Sequence, residues 1–235
     1  MKIETAEGFT LTELLVVIAI MAILLALLVP GMAKFVNKGE AATCLGNLRQ
    51  IGGLIGIYVA DHDGWLPSAT DYDPSKPPMT GTPSQYTWDE KMVMDGVMGK
   101  DDLRLTRSGC PANKKMTKGC YGYNYEQLGN ENRPQGPRLV KISAIEQPSQ
   151  TVMVMDNWAY SDGTGWSLLA WWHGTDPSDA SAPGAPVGHD GFVNVLWVDG
   201  HAGAMKLKEL YTHDPENGFN PDRPTPWYFA ARKVP

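Results

Sequence analysis

The residues able to do chemistry in this chain fall into a few groups. Gly8 precedes Phe9-Thr10-Leu11-Thr12-Glu13, a small residue behind which a peptidase can cut, with a carboxylate at the edge of an apolar run. His189, Asp156 and Asp199 are an imidazole and two carboxylates, the side chains of a metal or acid-base site if strand ends bring them together. Cys44, Cys110 and Cys120 lack the paired spacing of a zinc site. They leave open one disulfide with a thiol left over, either Cys110 with Cys120 or Cys44 with Cys110, or three buried thiols.

These groups must be positioned by regular elements. Phe9 to Val29 is 21 residues, which as a helix at ~1.5 Å per residue spans roughly 31 Å, one hydrocarbon core. A secretory signal would instead show a basic start, a shorter core and small residues at its far end. The run ends at Pro30-Gly31, where a proline invites a kink. Beyond it Leu45, Leu48, Ile51, Ile55 and Tyr58 draw an apolar stripe on a second helical half that a sheet must cover. Gly39, Gly46, Gly52, Gly53 and Gly56 weaken that half or permit close packing.

Asp61-His62-Asp63-Gly64 ends the helix, and from Trp65 to Thr87 prolines exclude a regular ladder. Trp88 to Gly99 suits a short helix. Thr151 to Met155, Phe192 to Val198 and His201 to Leu207 read as strands, the last two joined by Asp199-Gly200 as a two-residue hairpin turn with positive φ at both positions. Val193, Val195 and Trp197 share one face of the first arm and Phe192, Leu196 and Val198 the other. Both faces are apolar, so this strand is expected to be central. Asp199 is accounted for by the turn, and no further ligand stands at motif spacing, so a hydrogen bond from His189 to local backbone that pins the hairpin is the economical role. No catalytic site and no metal site are assigned.

The Gly8-Phe9-Thr10-Leu11-Thr12-Glu13 context resembles the cleavage site and first helix of type IV pilins and type II secretion pseudopilins. A second resemblance lies in Gly188-His189-Asp190-Gly191 through Val198-Asp199-Gly200-His201, similar to the H-X9-DG region of a set of pilin-like proteins. That set also carries Cys44-Leu45-Gly46-Asn47-Leu48-Arg49-Gln50, Cys110-Pro111 and Tyr121-Gly122-Tyr123-Asn124 in this chain's terms. The resemblance implies cleavage after Gly8, methylation of the Phe9 amine, and pairing of Glu13 with that amine on a neighbouring subunit. It implies loosening near Pro30 during assembly, and partners in a prepilin peptidase, other copies of the chain, minor pilins, an inner-membrane platform and its ATPase. Some pseudopilins bind calcium, but the spacing at Asp61-His62-Asp63-Gly64 does not match an EF-hand loop. No cofactor is assigned.

The net charge of -6 without a basic cluster gives no support for nucleic-acid binding. Lys2 stands against Glu4 and Glu7 ahead of the apolar run, with Lys34 and Lys38 behind it, so a lysine count alone would put the large domain in the cytoplasm. The motif implies the opposite: a single-pass inner-membrane protein with its C-terminal domain outside the cytoplasm, then a periplasmic or cell-surface filament. About 205 residues follow the anchor, and 43% hydrophobic content with eight tryptophans suits one packed domain. Trp158, Trp166 and Trp171-Trp172-His173 read as core or as a contact surface, and His213 to Pro235 as an extended tail.

The expected organisation is a leader at 1–8, a transmembrane and filament-core helix at 9–30, its amphipathic continuation at 31–60, and an α+β domain at 61–235. The expected fold is pilin-like, a long N-terminal helix packed on a C-terminal antiparallel sheet. The expected function is a filament subunit of a type IV pilus or type II secretion pseudopilus, with a minor or tip subunit or a membrane-anchored binding protein as the alternative, and no enzyme activity.

Overall fold

The computed structural model describes residues 10–68, 70–72, 85–112, 119–130, 138–157 and 189–210. Gly8, Phe9, the tryptophans from 158 to 172 and the tail from His213 lie outside these residues. The chain divides into two units, Met1–Gly39 and Glu40–Pro235.

Helix α1, Leu11–Asp61, includes Pro30-Gly31, so the two expected halves belong to one element. In its first part the described apolar side chains are exposed on every side. Leu14, Leu15, Val16, Val17 and Ile18 are consecutive, at 100° steps cover the whole circumference, and are each about half exposed. The described side chains break off after Ala26, and those of residues 27–31 and 33 lie outside the description. Among the described residues no helix is long and apolar enough to cross a membrane.

The second part of α1 has one buried stripe. Cys44, Leu48, Ile51, Ile55 and Tyr58 recur at alternating four- and three-residue steps and are buried, while Leu45, expected to lead the stripe, is only half-buried. Cys44 takes that place because steps of four and three residues hold one azimuth down a helix. At the C-terminus the Gly64 N–H donates to Val59 O at 2.9 Å, and Asp63 and Gly64 both have positive φ (51° and 83°). Asp61-His62-Asp63-Gly64 is thus a helix stop, with carbonyls at the end satisfied by the reversed chain.

After α1 come β1, Thr70–Tyr72, and β2, Gln85–Thr87, paired with each other. Helices α2, Trp88–Met94, and α3, Leu103–Ser108, follow. Strand β3, Tyr121–Tyr123, leads into α4, Tyr125–Leu128, and the short pair β4, Gly129–Asn130, and β5, Arg138–Leu139. The last elements are β6, Val152–Asp156, β7, Phe192–Trp197, β8, Ala202–Lys206, and α5, Leu207–Leu210. The main sheet is antiparallel, in the order β3-β6-β7-β8. The α+β class and the interior place of β7 are as expected.

The two faces of β7 serve two cores, as its alternation requires. Leu196 and Val198 join the stripe of α1, together with Trp88, Tyr121, Tyr123 and Val154. Val193, Val195 and Trp197 join Val152, Met155 and Leu210 on the other side. On β6 the alternation slips: Val152 and Met155 point one way and Met153 and Val154 the other. The cause is a bulge, since the register against β7 shifts between Val152 and Val154.

The β7–β8 turn differs from expectation. Leu196 pairs with Ala202, and the Trp197 N–H donates to His201 O, so Val198-Asp199-Gly200 is a three-residue loop. Of its residues only Gly200 has positive φ, 89°. A right-handed turn closed by one left-handed glycine matches the twist of the strands as well as the two-residue form does.

The glycines of α1 separate by environment. A Cβ at Gly52 would lie 2.9 Å from Leu196 Cδ1, whereas Gly53 faces open space. Gly53→Ala is therefore expected to stabilise the chain by about 0.4–1 kcal/mol through a less flexible unfolded state. Gly52→Ala should gain less or lose, because buried Leu196 must move. Denaturant titration of both variants in detergent checks the order.

Candidate functional site

The described part of the N-terminal motif begins at Thr10, so the Gly8-Phe9 bond lies outside it. The Thr10 N–H donates to Glu13 Oε2 at 2.9 Å, the Thr10 hydroxyl donates to the same oxygen at 2.6 Å, and the Glu13 N–H donates to Thr10 Oγ1 at 3.3 Å. This is a capping box, in which Thr and Glu three positions apart satisfy each other's backbone donors at a helix start. The T-x-x-E spacing carries it in the sequence, whereas the resemblance accounts for Glu13 only through an intersubunit pair. Within one chain Glu13 already has partners, so binding a neighbour's amine would be an exchange of partners.

The second constellation is buried in the Glu40–Pro235 unit. Cys44, Cys110, Asp156 and His189 each offer a ligand atom, and these atoms all lie within 4.8 Å of one another. Cys44 comes from α1 and Cys110 from the turn after α3. Asp156 ends β6, and His189 opens the 3₁₀ turn His189–Gly191 ahead of β7. The β6 bulge sets Asp156 on the side of Val154 and Leu196, facing the helix stripe.

Two contacts hold Asp156. Its Oδ2 accepts the backbone N–H of Asn194 at 2.8 Å and lies 3.4 Å from His189 Nε2. The Asn194 amide side chain reaches α1, donating to Ala41 O at 3.2 Å. Asp156 Oδ1 is buried and has no hydrogen-bond partner among the described residues.

Cys110 is placed from both sides. Asn47 Nδ2 donates to Gly109 O at 2.7 Å and to Tyr121 Oη at 3.0 Å, and a Cβ at Gly109 would fall 2.3 Å from Leu105 O. Helix α3 is tied to α2 by Arg107, whose Nη2 meets Glu90 Oε1 at 2.7 Å and whose Nε meets Asp89 Oδ2 at 3.3 Å, both carboxylates fully buried. The Thr106 hydroxyl also donates to Asp89 Oδ2 at 2.8 Å.

The cluster perturbs its own members. A hydrogen bond from Cys44 and another from His189 bring the Cys110 thiol down to about 6 against the effect of burial. The same Cys44–Cys110 bond, with burial, pushes Cys44 well above the ordinary thiol range. Hydrogen bonds to Asp156 and Cys110 push His189 up to about 10, and burial lifts Cys120 to about 11. Cys110 is only 5% exposed, so the low value does not make it an accessible nucleophile. Among the described residues, what the arrangement can do is hold charge or a cation.

The sequence expectations for these residues fare differently. Among the described residues His189 reaches across to Asp156 rather than to the hairpin, because its turn precedes β7, while the hairpin closes at the far end of that strand. Asp199 keeps the turn position expected of it and is not in the group with Asp156. It stays at the turn, accepting the His201 N–H at 3.1 Å and pairing with His201 Nδ1 at 2.5 Å. Of the open thiol readings, the structure holds all three cysteines free and buried, with no disulfide. The sequence does not group Cys44 and Cys110 with His189, because no local spacing links four separate elements.

Of the other sequence landmarks Tyr121 reaches the cluster, while Tyr123 and Asn124 lie farther along β6. Tyr121 Oη donates to Cys44 O at 3.4 Å, Tyr123 stacks on Trp88 with centroids 5.6 Å apart, and Asn124 Nδ2 donates to Val152 O at 3.0 Å.

Comparison with known proteins agrees with the N-terminal motif. The family described as "Prokaryotic N-terminal methylation motif" matches residues 5–29. The chain is similar to the ComG operon protein 3 homolog of Bacillus licheniformis, 33% identical over 67 residues, covering 28% of this chain and 69% of the relative. It is similar to the Type II secretion system core protein G of Pseudomonas aeruginosa, 26% identical over 100 residues, covering 43% and 68%. A third relative, Competence protein ComGC of Bacillus subtilis, is 32% identical over 65 residues, covering 28% and 66%. No solved structure matches significantly.

Thr10→Ala removes one side of the capping box. A loss of ~0.5–2 kcal/mol should speed amide exchange in the first turn of α1 by roughly 2- to 30-fold, read by hydrogen-exchange mass spectrometry in micelles. Arg107→Ala strands two buried carboxylates and should cost about 3–5 kcal/mol of stability. Denaturant unfolding checks it, and a loss under about 1 kcal/mol would mean the pair is screened like a surface one.

Proposed function

The chain belongs to the type IV pilin and pseudopilin family, and on that premise we propose that it is a structural subunit of a helical filament, anchored in the bacterial inner membrane before assembly. In this reading residues 1–8 are a leader removed by prepilin peptidase, and Phe9 becomes the methylated N-terminus. Residues 9–30 cross the membrane and then form the filament core, 31–60 continue the helix, and 61–235 form the domain outside the cytoplasm. The inner-membrane platform, its ATPase, minor subunits and other copies of the chain are the partners. No catalytic role is proposed.

The observation that carries this reading is the first part of α1. Leu14 to Ile18 turn apolar side chains to every side, all uncovered in the single chain. Such a helix is stable only in lipid or among other apolar helices, since each exposed Å² costs about 25 cal/mol in water. A pilin uses both environments in turn. Relatives named for secretion and for competence both match, which supports the shared role of filament subunit.

Glu13 then has two states. In the lone chain it caps α1 with Thr10; in the filament it would meet the Phe9 amine of a neighbour, fixing register between subunits. Burying that pair adds little net stability, while leaving the amine alone in the core is costly.

Intact-mass and N-terminal peptide mass spectrometry of membrane-extracted protein, from cells with their own peptidase, tests processing. A chain starting at methylated Phe9 is expected, and a retained Met1 to Gly8 would favour an anchored binding protein instead. Glu13→Gln separates capping from register pairing, because glutamine keeps the cap while losing the charge. Sheared-filament yield should fall at least about tenfold for both Glu13→Gln and Glu13→Ala, the equivalent of ~1.4 kcal/mol at each subunit interface. Normal filaments from Glu13→Gln would leave only the capping role.

A further inference from the structure

We propose that Cys44, Cys110, Asp156 and His189 form a structural site for one Zn²⁺ ion. The inference concerns the Glu40–Pro235 unit and stands whether or not the chain assembles into filaments.

The donor set is the first ground. Two cysteine sulfurs, one imidazole nitrogen and one carboxylate oxygen are ligand types that zinc takes, and four protein ligands make a closed, structural site. Mutual distances are the second. Tetrahedral zinc with bonds of ~2.0–2.3 Å places its ligand atoms roughly 3.3–3.8 Å apart. The four ligand atoms already lie within 4.8 Å of one another. Movements of side-chain size close that gap.

An independent ground is Asp156 Oδ1. The residue is 6% exposed, and this oxygen is buried without a hydrogen-bond partner among the described residues. A buried carboxylate oxygen left unpaired is costly, and a cation beside it removes the cost. Oδ2 meanwhile keeps the Asn194 N–H, which orients the carboxylate as outer contacts orient metal ligands.

A Cys44–Cys110 disulfide is the competing use of the two sulfurs. It would satisfy neither Asp156 Oδ1 nor the convergence of His189 on the same point. Zinc uses all four groups, binding both sulfurs as thiolates and the imidazole as its neutral form, with the protons that Cys44, Cys110 and His189 share in the absence of metal released to solvent. It would then tie α1, the turn after α3, the end of β6 and the entry to β7 through one centre. Cys120 is also buried but falls outside the four-residue set.

The test uses the untagged full chain, extracted in detergent under reductant without chelator, and measured by elemental mass spectrometry. About one zinc per chain is expected. It should survive dialysis in the wild-type chain and in Cys120→Ser, and fall to near zero in Cys110→Ser and His189→Ala. Because these two variants can fail by misfolding, the wild-type chain is also loaded with Co²⁺ in place of zinc. Thiolate-to-cobalt charge-transfer absorption with tetrahedral ligand-field bands is expected. Wild-type protein that retains no zinc from added Zn²⁺ under reductant, cobalt bound without thiolate absorption, or a Cys44–Cys110 cross-link in non-reducing peptide maps of freshly extracted protein would each overturn the site.

Discussion

Burial of one stripe of α1 against the sheet is the constraint on which the rest of the Glu40–Pro235 unit depends. Cys44, Leu48, Ile51, Ile55 and Tyr58 are all under 5% exposed, and each removes apolar surface worth about 1.5–3 kcal/mol for a full-sized side chain. Once that face is committed, one glycine is constrained as well. A Cβ at Gly52 would lie 2.9 Å from Leu196 Cδ1, so that side chain would have to shift. Helix and strand approach closely there because the helix gives up a side chain.

The same burial makes one polar cluster necessary. Cys44 opens the stripe, so the first buried turn of the helix faces the end of the sheet where β6 finishes and β7 starts. The bulge at Val152/Val154 turns Asp156 to that side. Its carboxylate accepts the Asn194 N–H of β7. Without the extra residue the alternation of β6 would carry Asp156 to the opposite face. A local irregularity in one strand thus decides which groups can share a site.

The first part of α1 obeys a different rule. Its described side chains are apolar on all sides and exposed. The capping box between Thr10 and Glu13 satisfies backbone donors where this helix begins. Structure in this region is specified for an environment, whereas the Glu40–Pro235 unit is specified by its own core.

Much of this was legible in the sequence, because it rests on local order. Periodicity announced the helix stripe, alternation announced β7 as an interior strand, and Asp199-Gly200 announced the turn. The type of turn was not legible, since two- and three-residue loops share the same Asp-Gly pair and only the register of Leu196 with Ala202 separates them. Nor was the partner of His189. The nine residues between it and Asp199 are the span of one strand, which carries the two to opposite ends and leaves His189 beside Asp156. By itself the sequence determined the apolar stripe of α1 beyond Pro30 and the two faces of β7, both set by neighbours within a few residues. Only the tertiary structure decided that Cys44, Cys110, Asp156 and His189 meet, because that depends on one helix azimuth, one turn and one bulge acting across elements up to 145 residues apart.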